Sequence, residues 1–357
     1  MSSAAVDAIW PPGWKDPPYS ESDDEIRHAF LALSLDEARA LADRATRVLE
    51  TQVSRRPFDE AEHARIAARE LLVRLVCHVP GSLQDVHIRL IDADVMGIRW
   101  IGVPHLLFHD AGPEVAERLL AMDTDDSRQA VAWMADEAPR EALVRRSHAE
   151  AAWPALVAGW GFGKDWAAGL YWPRSHRLQR GRSLAPVAAV VDGEERCGGC
   201  GDPMTTLLDV DLTDPRVAFL GDGRRLRIPT CERCVCWGTS YATVDTEGGA
   251  TWSDASDRPT TIFDMGTPSG REPLGLGDER RRPFSGVAFD MWRSSQLGGV
   301  PLWVQNPDYP TCPACGGTMR YLGQVAWEDT GEDLAEGVIF AFWSRGCGIA
   351  ATLYQQT

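Results

Sequence analysis

The chain has 357 residues, 44% of them hydrophobic and 25% charged, which is typical of a folded globular protein with two or three domains. Its formal net charge of -16 argues against nucleic acid as the main partner, because nucleic-acid binders neutralise phosphates with clustered lysine and arginine. No stretch approaches the ~20 apolar residues of a membrane helix, and the first residues lack the features of a signal peptide. We therefore expect a cytoplasmic protein without a membrane partner.

The N-terminal half predicts helices. Residues 1–20 are rich in proline and tryptophan and are expected to form an extended tail, whereas residues 21–180 are expected to form a helical domain. Ser22 with Glu25, and Ser34 with Glu37, have the S-x-x-E spacing of capping boxes. The apolar residues after the second box recur every three or four positions, and they are Leu35, Ala38, Leu41, Ala42, Ala45, Val48 and Leu49.

Further helices are expected along the same half of the chain. One covers residues 59–77, where Ile66, Leu71, Leu72 and Leu75 recur at helical spacing. Another begins at Pro113, a residue that suits the first helical position, and a third at Thr124. Short linkers between such helices favour an array of α-hairpins.

From residue 184 onward the pattern changes to short strands separated by glycine, proline and aspartate. The predicted strands are 187–191, 207–210, 224–228, 302–304, 319–325 and 338–342. Residues 245–285 are dense in small and turn-forming residues. These shifts divide the region into a first module (184–245), a connecting segment (246–290) and a second module (291–357).

Internal similarity is the strongest pattern in this region. Residues 197–210 (CGGCGDPMTTLLDV) match residues 312–325 (CPACGGTMRYLGQV) at six positions without a gap. Downstream, Cys231 and Cys234 align with Ser344 and Cys347 when the intervening hairpin differs by two residues. The pattern indicates two copies of one unit, each with the spacing of a zinc ribbon.

The first copy contains four thiols, Cys197, Cys200, Cys231 and Cys234. Zn²⁺ takes four tetrahedral ligands, and a Cys-x-x-Cys turn places two thiolates on one side of the ion. We therefore predict a structural zinc site, with reduced buried cysteines or two disulfides as the alternative. Catalysis at this zinc is not expected, because four thiolates leave no open coordination position.

The second copy retains Cys312, Cys315 and Cys347, but Ser344 stands where the fourth thiol would be. A serine hydroxyl is a poor zinc ligand. Three alternatives stay open: zinc with a fourth ligand from elsewhere in the chain, a fold that persists without metal, or a three-thiolate site with an open position for water. Cys236 has no counterpart in this copy and is expected to be a small buried residue.

Other polar groups give weaker patterns. His105 and His109 stand four residues apart, but the catalytic zinc pattern requires a glutamate where Leu106 stands, so we expect them to be satisfied polar groups at a helix end. The segment 159–165 (GWGFGKD) departs from the P-loop pattern at two positions. The arginine run 280–282 is expected to be a solvated loop. No catalytic constellation is predicted.

The stretch 297–325 (LGGVPLWVQNPDYPTCPACGGTMRYLGQV) resembles two related groups. One is the YwqG-like bacterial family of unknown function, with an LGG-x-P start, a Cys-x-x-Cys and an M-x-x-L-x-Q strand. The other is the programmed cell death protein two family, which has a similar signature. The resemblance covers residues 285–357, or 184–357 at its widest extent, and none of the helical half. Ser344 departs from it. It implies that the family positions are Leu297, Gly298, Gly299, Pro301, Trp303, Gln324 and the cysteines.

These patterns predict an α+β protein, with an N-terminal helical (α-hairpin) domain followed by a β-rich domain of two tandem zinc-ribbon-like modules. The leading hypothesis is a zinc-stabilised cytoplasmic binding protein, chaperone-like or an adaptor. The resemblance implies chaperoning of a ribosomal protein, and an acidic chain would suit a basic protein partner. The alternatives are an immunity or antitoxin-like inhibitor of a partner protein and a metalloenzyme with its site in the second module.

Overall fold

The computed structural model describes residues 24–52, 59–96, 104–146, 169–258, 271–289, 294–330 and 336–356. Two compact units are present. Residues 1–158 with 162–167 and 287–290 form one, and residues 159–161 with 168–286 and 291–357 form the other. The first unit is helical and the second is built on a β-sheet, so the protein is α+β with its helices N-terminal. No helix in the described ranges is long and apolar enough to cross a membrane.

The helical unit consists of short and medium helices joined by brief turns. Its described helices are α1 (Asp24–Leu31), α2 (Leu35–Thr51), α3 (Glu60–His78), α4 (His87–Asp92), α5 (Pro113–Met122), α6 (Asp125–Ala132) and α7 (Glu137–Arg146), with a 3₁₀-helix at Pro104–Phe108. The starts predicted at residues 59, 113 and 124 are confirmed, because Asp59 and Thr124 are N-caps and Pro113 is the first helical residue.

Helix α2 begins with the predicted capping box. The backbone N–H of Glu37 donates to Ser34 Oγ at 3.3 Å, and the N–H of Ser34 donates to Glu37 Oε2 at 3.0 Å. The helix packs against α3 through a buried face that includes Leu41, Ala45 and Leu49. Leu35, which was predicted to belong to this apolar face, is exposed, because it lies in the first turn of the helix. The other predicted box includes Ser22, which lies outside the described residues.

The second unit is a single antiparallel sheet. Its strands are β1 (Ser175–Gln179), β2 (Val187–Arg196), β3 (Pro203–Asp211), β4 (Arg225–Thr230), β5 (Ser240–Val244), β6 (Ala250–Trp252), β7 (Leu274–Arg280), β8 (Gln296–Gly298), β9 (Arg320–Ala326), β10 (Val338–Ser344) and β11 (Ile349–Gln355). The short helix α8 (Glu232–Val235) and 3₁₀-helices at Pro215–Leu220, Trp327–Thr330 and Arg345–Cys347 connect them. Helix α9 (Ser285–Phe289) begins in this unit, and its residues from 287 onward belong to the helical unit.

The sheet order is β4-β3-β2-β7-β1-β8-β9-β10-β11-β5-β6. The sheet curves until its two edges approach each other: the N–H groups of Arg224 and Arg225 donate to the Thr246 carbonyl at 2.7 and 2.9 Å. A buried apolar cluster contains side chains of strands β1–β5 and β7–β11. The curved sheet therefore encloses its own core.

Two strand pairs of this sheet, β3 with β4 and β9 with β10, have the same register. They belong to the two halves of the sheet. Thr205 pairs with Thr230 between β3 and β4, as Arg320 pairs with Trp343 between β9 and β10. Each ladder skips one residue, Leu207 in the first and Leu322 in the second. Strands β2 and β8 flank β3 and β9 in matching positions, and β7 and β1 meet in the middle. The positions aligned in the sequence are thus structurally equivalent along these strands.

The sequence misplaced three parts of the unit. Strand β1 lies inside the range predicted to be helical, and β7, a central strand, lies in the predicted connecting segment. Both predicted modules contribute strands to this one sheet. Residues 302–304 are not a strand, because Leu302 N donates to the side chain of Gln324 and Val304 N to that of Gln355.

Strand β10 is buried on both faces. Ile339, Ala341 and Trp343 point into the main core, while Phe340 and Phe342 join a second apolar cluster on the other face. There the ring of Trp303 stacks on Phe340 with centroids 4.8 Å apart. Alternation of side chains along a strand explains how an uninterrupted apolar run fills two cores.

The arginine run 280–282 is not simply a solvated loop, so that expectation is wrong for its first residue. Arg280 ends β7 and is only 5% exposed. Its guanidinium donates to Ser294 Oγ at 2.8 Å and to Gln296 Oε1 at 3.0 Å. These neutral oxygens help to solvate the buried charge in place of water, and the Asp329 carboxyl group also interacts with it electrostatically.

Candidate metal centres

The first cysteine cluster is assembled by three strands. Cys197 and Cys200 lie in the turn from β2 to β3, and Cys231 and Cys234 lie at the end of β4 and in α8. Strand β3 runs away from the turn and β4 returns beside it, so the two Cys-x-x-Cys segments meet at one end of the sheet. Pairing of β3 with β4 thus brings together thiols more than 30 positions apart.

The sulfur geometry suits a four-coordinate metal ion. All four Sγ atoms lie within 4.8 Å of one another. Cys197 Sγ is 3.6 Å from Cys234 Sγ, and Cys200 Sγ is 3.5 Å from Cys231 Sγ. Four thiolates around zinc at about 2.3 Å would lie about 3.8 Å apart. The cluster can hold a metal ion, and its donor set is consistent with zinc.

In each cluster, a backbone hydrogen bond closes the turn formed by the first Cys-x-x-Cys segment. Gly201 N donates to the Cys197 carbonyl at 2.8 Å, and Gly316 N donates to the Cys312 carbonyl at 2.9 Å. Gly201 and Gly316 have φ values of 82° and 70°, a conformation that glycine adopts without strain. The glycine that follows each pair is therefore required by the turn.

All nine cysteines lie in the described residues and all have free thiols, so no disulfide bond is present in the first cluster of this structure. Burial raises the pKa of Cys231, and it also raises the pKa of Cys234 to about 12. Burial opposes ionisation of Cys197 as well, but hydrogen bonds from backbone N–H groups and neighbouring thiols lower its pKa. A metal cation would favour the thiolate form of the whole set.

Side chains that the sequence did not single out support the first cluster. The Trp252 ring lies against Gly198, where an added Cβ would be 2.3 Å from a ring carbon. Arg233, between the second pair of cysteines, forms an ion pair with Asp202 at 3.0 Å. Trp252 comes from β6 at the far edge of the sheet, so only the curvature of the sheet brings it here, and no local sequence pattern could have revealed the contact.

The second cluster contains three thiols. The Sγ atoms of Cys312, Cys315 and Cys347 lie within 4.8 Å of one another. Cys312 is buried, Cys347 is half-buried and Cys315 is exposed. Ser344 directly follows the paired residue Trp343, as Cys231 directly follows the paired residue Thr230, so the two occupy matching positions. The cluster can hold a metal ion, with fewer protein ligands than the first.

Ser344 contacts the second cluster directly. Burial opposes ionisation of Cys312, but hydrogen bonds from Ser344, from the backbone at Cys315 and Ala314 and from the Cys315 thiol lower its pKa to about 7. Cys347 also forms a hydrogen bond with Ser344, which lowers its pKa, but the neighbouring thiols Cys315 and Cys312 outweigh it, so the pKa is raised overall.

The other candidate residues take part in ordinary polar contacts. His105 Nε2 lies 3.3 Å from Asp126 Oδ1, and His109 Nδ1 lies 2.8 Å from the carbonyl of Trp133. The contact of His109 agrees with the expectation of a satisfied polar group. For His105 the expectation holds only in part, because its buried Nδ1 has no hydrogen-bond partner among the described residues. Cys236 is half-buried and its Sγ donates to the Glu232 carbonyl at 3.3 Å, outside the four-thiol cluster. Segment 159–165 lies outside the described residues.

Comparison with known proteins gives a relative along most of the chain. The uncharacterised protein YpfL of Salmonella typhimurium is 30% identical over 351 residues, which cover 92% of this chain and 79% of the relative. No protein-family model matches the chain, so the YwqG-like resemblance stays a prediction, and no solved structure matches it. The shared length includes both the helical and the β unit, and the chain belongs to the bacterial family of the uncharacterised protein YpfL.

Proposed function

We propose that the protein is a zinc-stabilised cytoplasmic binding protein whose first cluster, Cys197, Cys200, Cys231 and Cys234, holds a structural zinc ion. The observation that carries this proposal is the convergence of four free thiols within 4.8 Å. Zinc binding to four thiolates contributes directly to folding. A reducing compartment is expected, because the ligands must remain thiols.

We also infer that the two halves of the sheet descend from one copied unit of zinc-ribbon type. The shared ladder register and the skipped residues at Leu207 and Leu322 support this. So do the equivalent turn glycines, Gly201 and Gly316. Two unrelated hairpins would have no reason to skip the same position. In this view the second copy kept its strands but lost one thiol.

The proposed partner is a basic protein that binds beside the first cluster. Trp237, three residues after Cys234, is 52% exposed, and tryptophan is enriched among residues that dominate binding energy. The net charge of -16 favours encounters with a positively charged surface. A zinc-clamped turn would hold such an aromatic side chain in place. The chaperone-like function of the resembled eukaryotic family agrees with this by analogy alone.

Metal analysis of the purified full-length chain tests the structural proposal. We expect at least one zinc ion per chain that survives dialysis against a weak chelator. Cys234→Ser should lose it, whereas Cys236→Ala should retain it, because Cys236 lies outside the cluster. A wild-type chain without retained zinc would refute the proposal.

Affinity purification from the native host tests the partner. We expect a basic protein in stoichiometric amounts, with recovery that falls as salt is raised. Trp237→Ala should reduce recovery at least about tenfold, as for a dominant binding residue. Leu184→Ala is the matched control, because Leu184 is 43% exposed and lies away from the cysteines in sequence. Equal recovery with both variants would contradict the assignment of this surface.

A further inference from the structure

The second cluster, Cys312, Cys315 and Cys347, is more accessible than the first. Residues 313–318, which surround Cys315, are all exposed. Gly346 lies between Ser344 and Cys347, and a Cβ added there would meet nothing within 4 Å. At the first cluster, by contrast, the Trp252 ring lies against the turn. Solvent can therefore reach the second cluster from the side of its fourth position.

The donor set of the second cluster is incomplete. Among the described residues, no histidine, aspartate or glutamate lies with the three thiols. Ser344 stands in the fourth place and forms hydrogen bonds with the thiols of Cys312 and Cys347. A neutral hydroxyl in this position can stabilise thiolates by donating hydrogen bonds, but it is not among the usual ligands of zinc. Three sulfurs within 4.8 Å of one another still fit three corners of a tetrahedron.

We propose that Cys312, Cys315 and Cys347 form a second zinc site whose fourth position is exchangeable and admits water or a small nitrogen-donor ligand. Zinc sites with three protein ligands characteristically keep such a position. Ser344 acts outside the coordination sphere, where it orients the sulfurs. A neutral nitrogen donor suits the position because three thiolates already exceed the charge of one Zn²⁺ ion. This goes beyond the proposed function, which concerns the first cluster.

Zinc release from the full-length, zinc-loaded chain to a chromogenic chelator tests the proposal. We expect two zinc ions per chain, one released rapidly and one slowly. Cys347→Ser should abolish the rapid phase alone. Ser344→Cys, which completes a four-thiolate set, should slow that phase about tenfold or more. If the first cluster holds no zinc, the slow phase will be missing while the rapid phase persists, so the two proposals fail separately.

Ser344→Ala tests whether the serine is a zinc ligand or lies outside the coordination sphere. If Ser344 lies outside the coordination sphere, the rapid phase should change by less than about tenfold, whereas removal of a true ligand would accelerate it further. Circular dichroism of each variant checks that the fold is retained. A single slow phase in the wild type, or a much faster release from Ser344→Ala, would overturn the proposal.

Cobalt substitution gives a second test, which is spectroscopic. Co²⁺ bound to three thiolates and water should change its visible absorption when imidazole is added, because imidazole replaces the water. We expect this change in the wild type and its loss in Ser344→Cys. An imidazole-insensitive spectrum in the wild type would show that the fourth position is already filled by the chain.

Discussion

At the scale of single residues, Gly198 and Trp252 couple the first cluster to the far edge of the sheet. A Cβ on Gly198 would lie 2.3 and 2.4 Å from two carbons of the Trp252 ring. The adjacent Gly199 has room, since its Cβ would lie 3.5 Å from two sulfurs. The requirement for glycine at 198 thus comes from a long-range contact and not from the turn itself.

Gly198→Ala should therefore destabilise the β unit by about 1–3 kcal/mol, as overpacking does, and denaturant unfolding measures the change. Gly199→Ala, the control, should be tolerated. In a Trp252→Ala background the cost of Gly198→Ala should largely disappear. If the loss is the same with and without the indole ring, the contact is not its cause.

His87 gives the helical unit a pH dependence. Burial lowers the pKa of His87, although the bond from its ring to the Leu107 carbonyl, 3.0 Å long, works in the opposite direction. The folded pKa is thus below that of an unfolded histidine, about 6.5. As pH falls through about 6.5, His87 binds a proton in the unfolded chain before it does so in the folded chain. The contribution of His87 to the unfolding free energy is therefore fully present above that pH and declines below it.

We expect the unfolding free energy of the helical unit to fall between about pH 7.5 and 5.5, by at most about 1.4 kcal/mol per pH unit for this one group. His87→Gln keeps a donor for Leu107 and should flatten the dependence. His63→Gln is the matched control, because the His63 side chain is exposed. A slope unchanged in His87→Gln would argue against this origin.

At the scale of elements, helix α2 depends on its N-terminal cap. Ser34 and Glu37 satisfy each other's backbone N–H groups, which otherwise lack partners in the first turn. Ser34→Ala should cost about 0.5–2 kcal/mol and speed hydrogen exchange at the start of α2. Ser34→Thr should keep most of the stability, since threonine also caps helices. Similar losses in both variants would show that the hydroxyl contact is unimportant.

At the scale of the whole molecule, the two units carry different stabilising elements. The cysteine clusters belong to the β unit, and the helices of the N-terminal unit contain the buried Cys77 alone among the cysteines. Cys234→Ser should therefore unfold or loosen the β unit while helical circular dichroism persists. Hydrogen exchange should report lost protection in β2, β3 and β4. Cys236→Ala provides the control. If Cys234→Ser also reduced hydrogen-exchange protection in α2 and α3, the two units would not be stabilised independently.

Much of the local structure was predictable because short-range chemistry determines it. The caps at Ser34 and Thr124, the start at Pro113 and the turns closed by Gly201 and Gly316 each depend on residues a few positions apart. Strand β10 was also recognisable from its apolar run. The alignment of the two cysteine-containing segments in the sequence placed Ser344 opposite Cys231, and the register of the β3–β4 and β9–β10 ladders agrees with that alignment.

The sequence by itself thus determined the thiols, their spacing and the helix ends, because these follow from contacts between near neighbours in the chain. Only the tertiary structure decided that β1 and β7 join the two halves into one sheet and that Trp252 lies on the first cluster. It also decided that Arg280 is buried among serine and glutamine oxygens. These features depend on the pairing and curvature of strands far apart in sequence, where many arrangements satisfy the same local pattern.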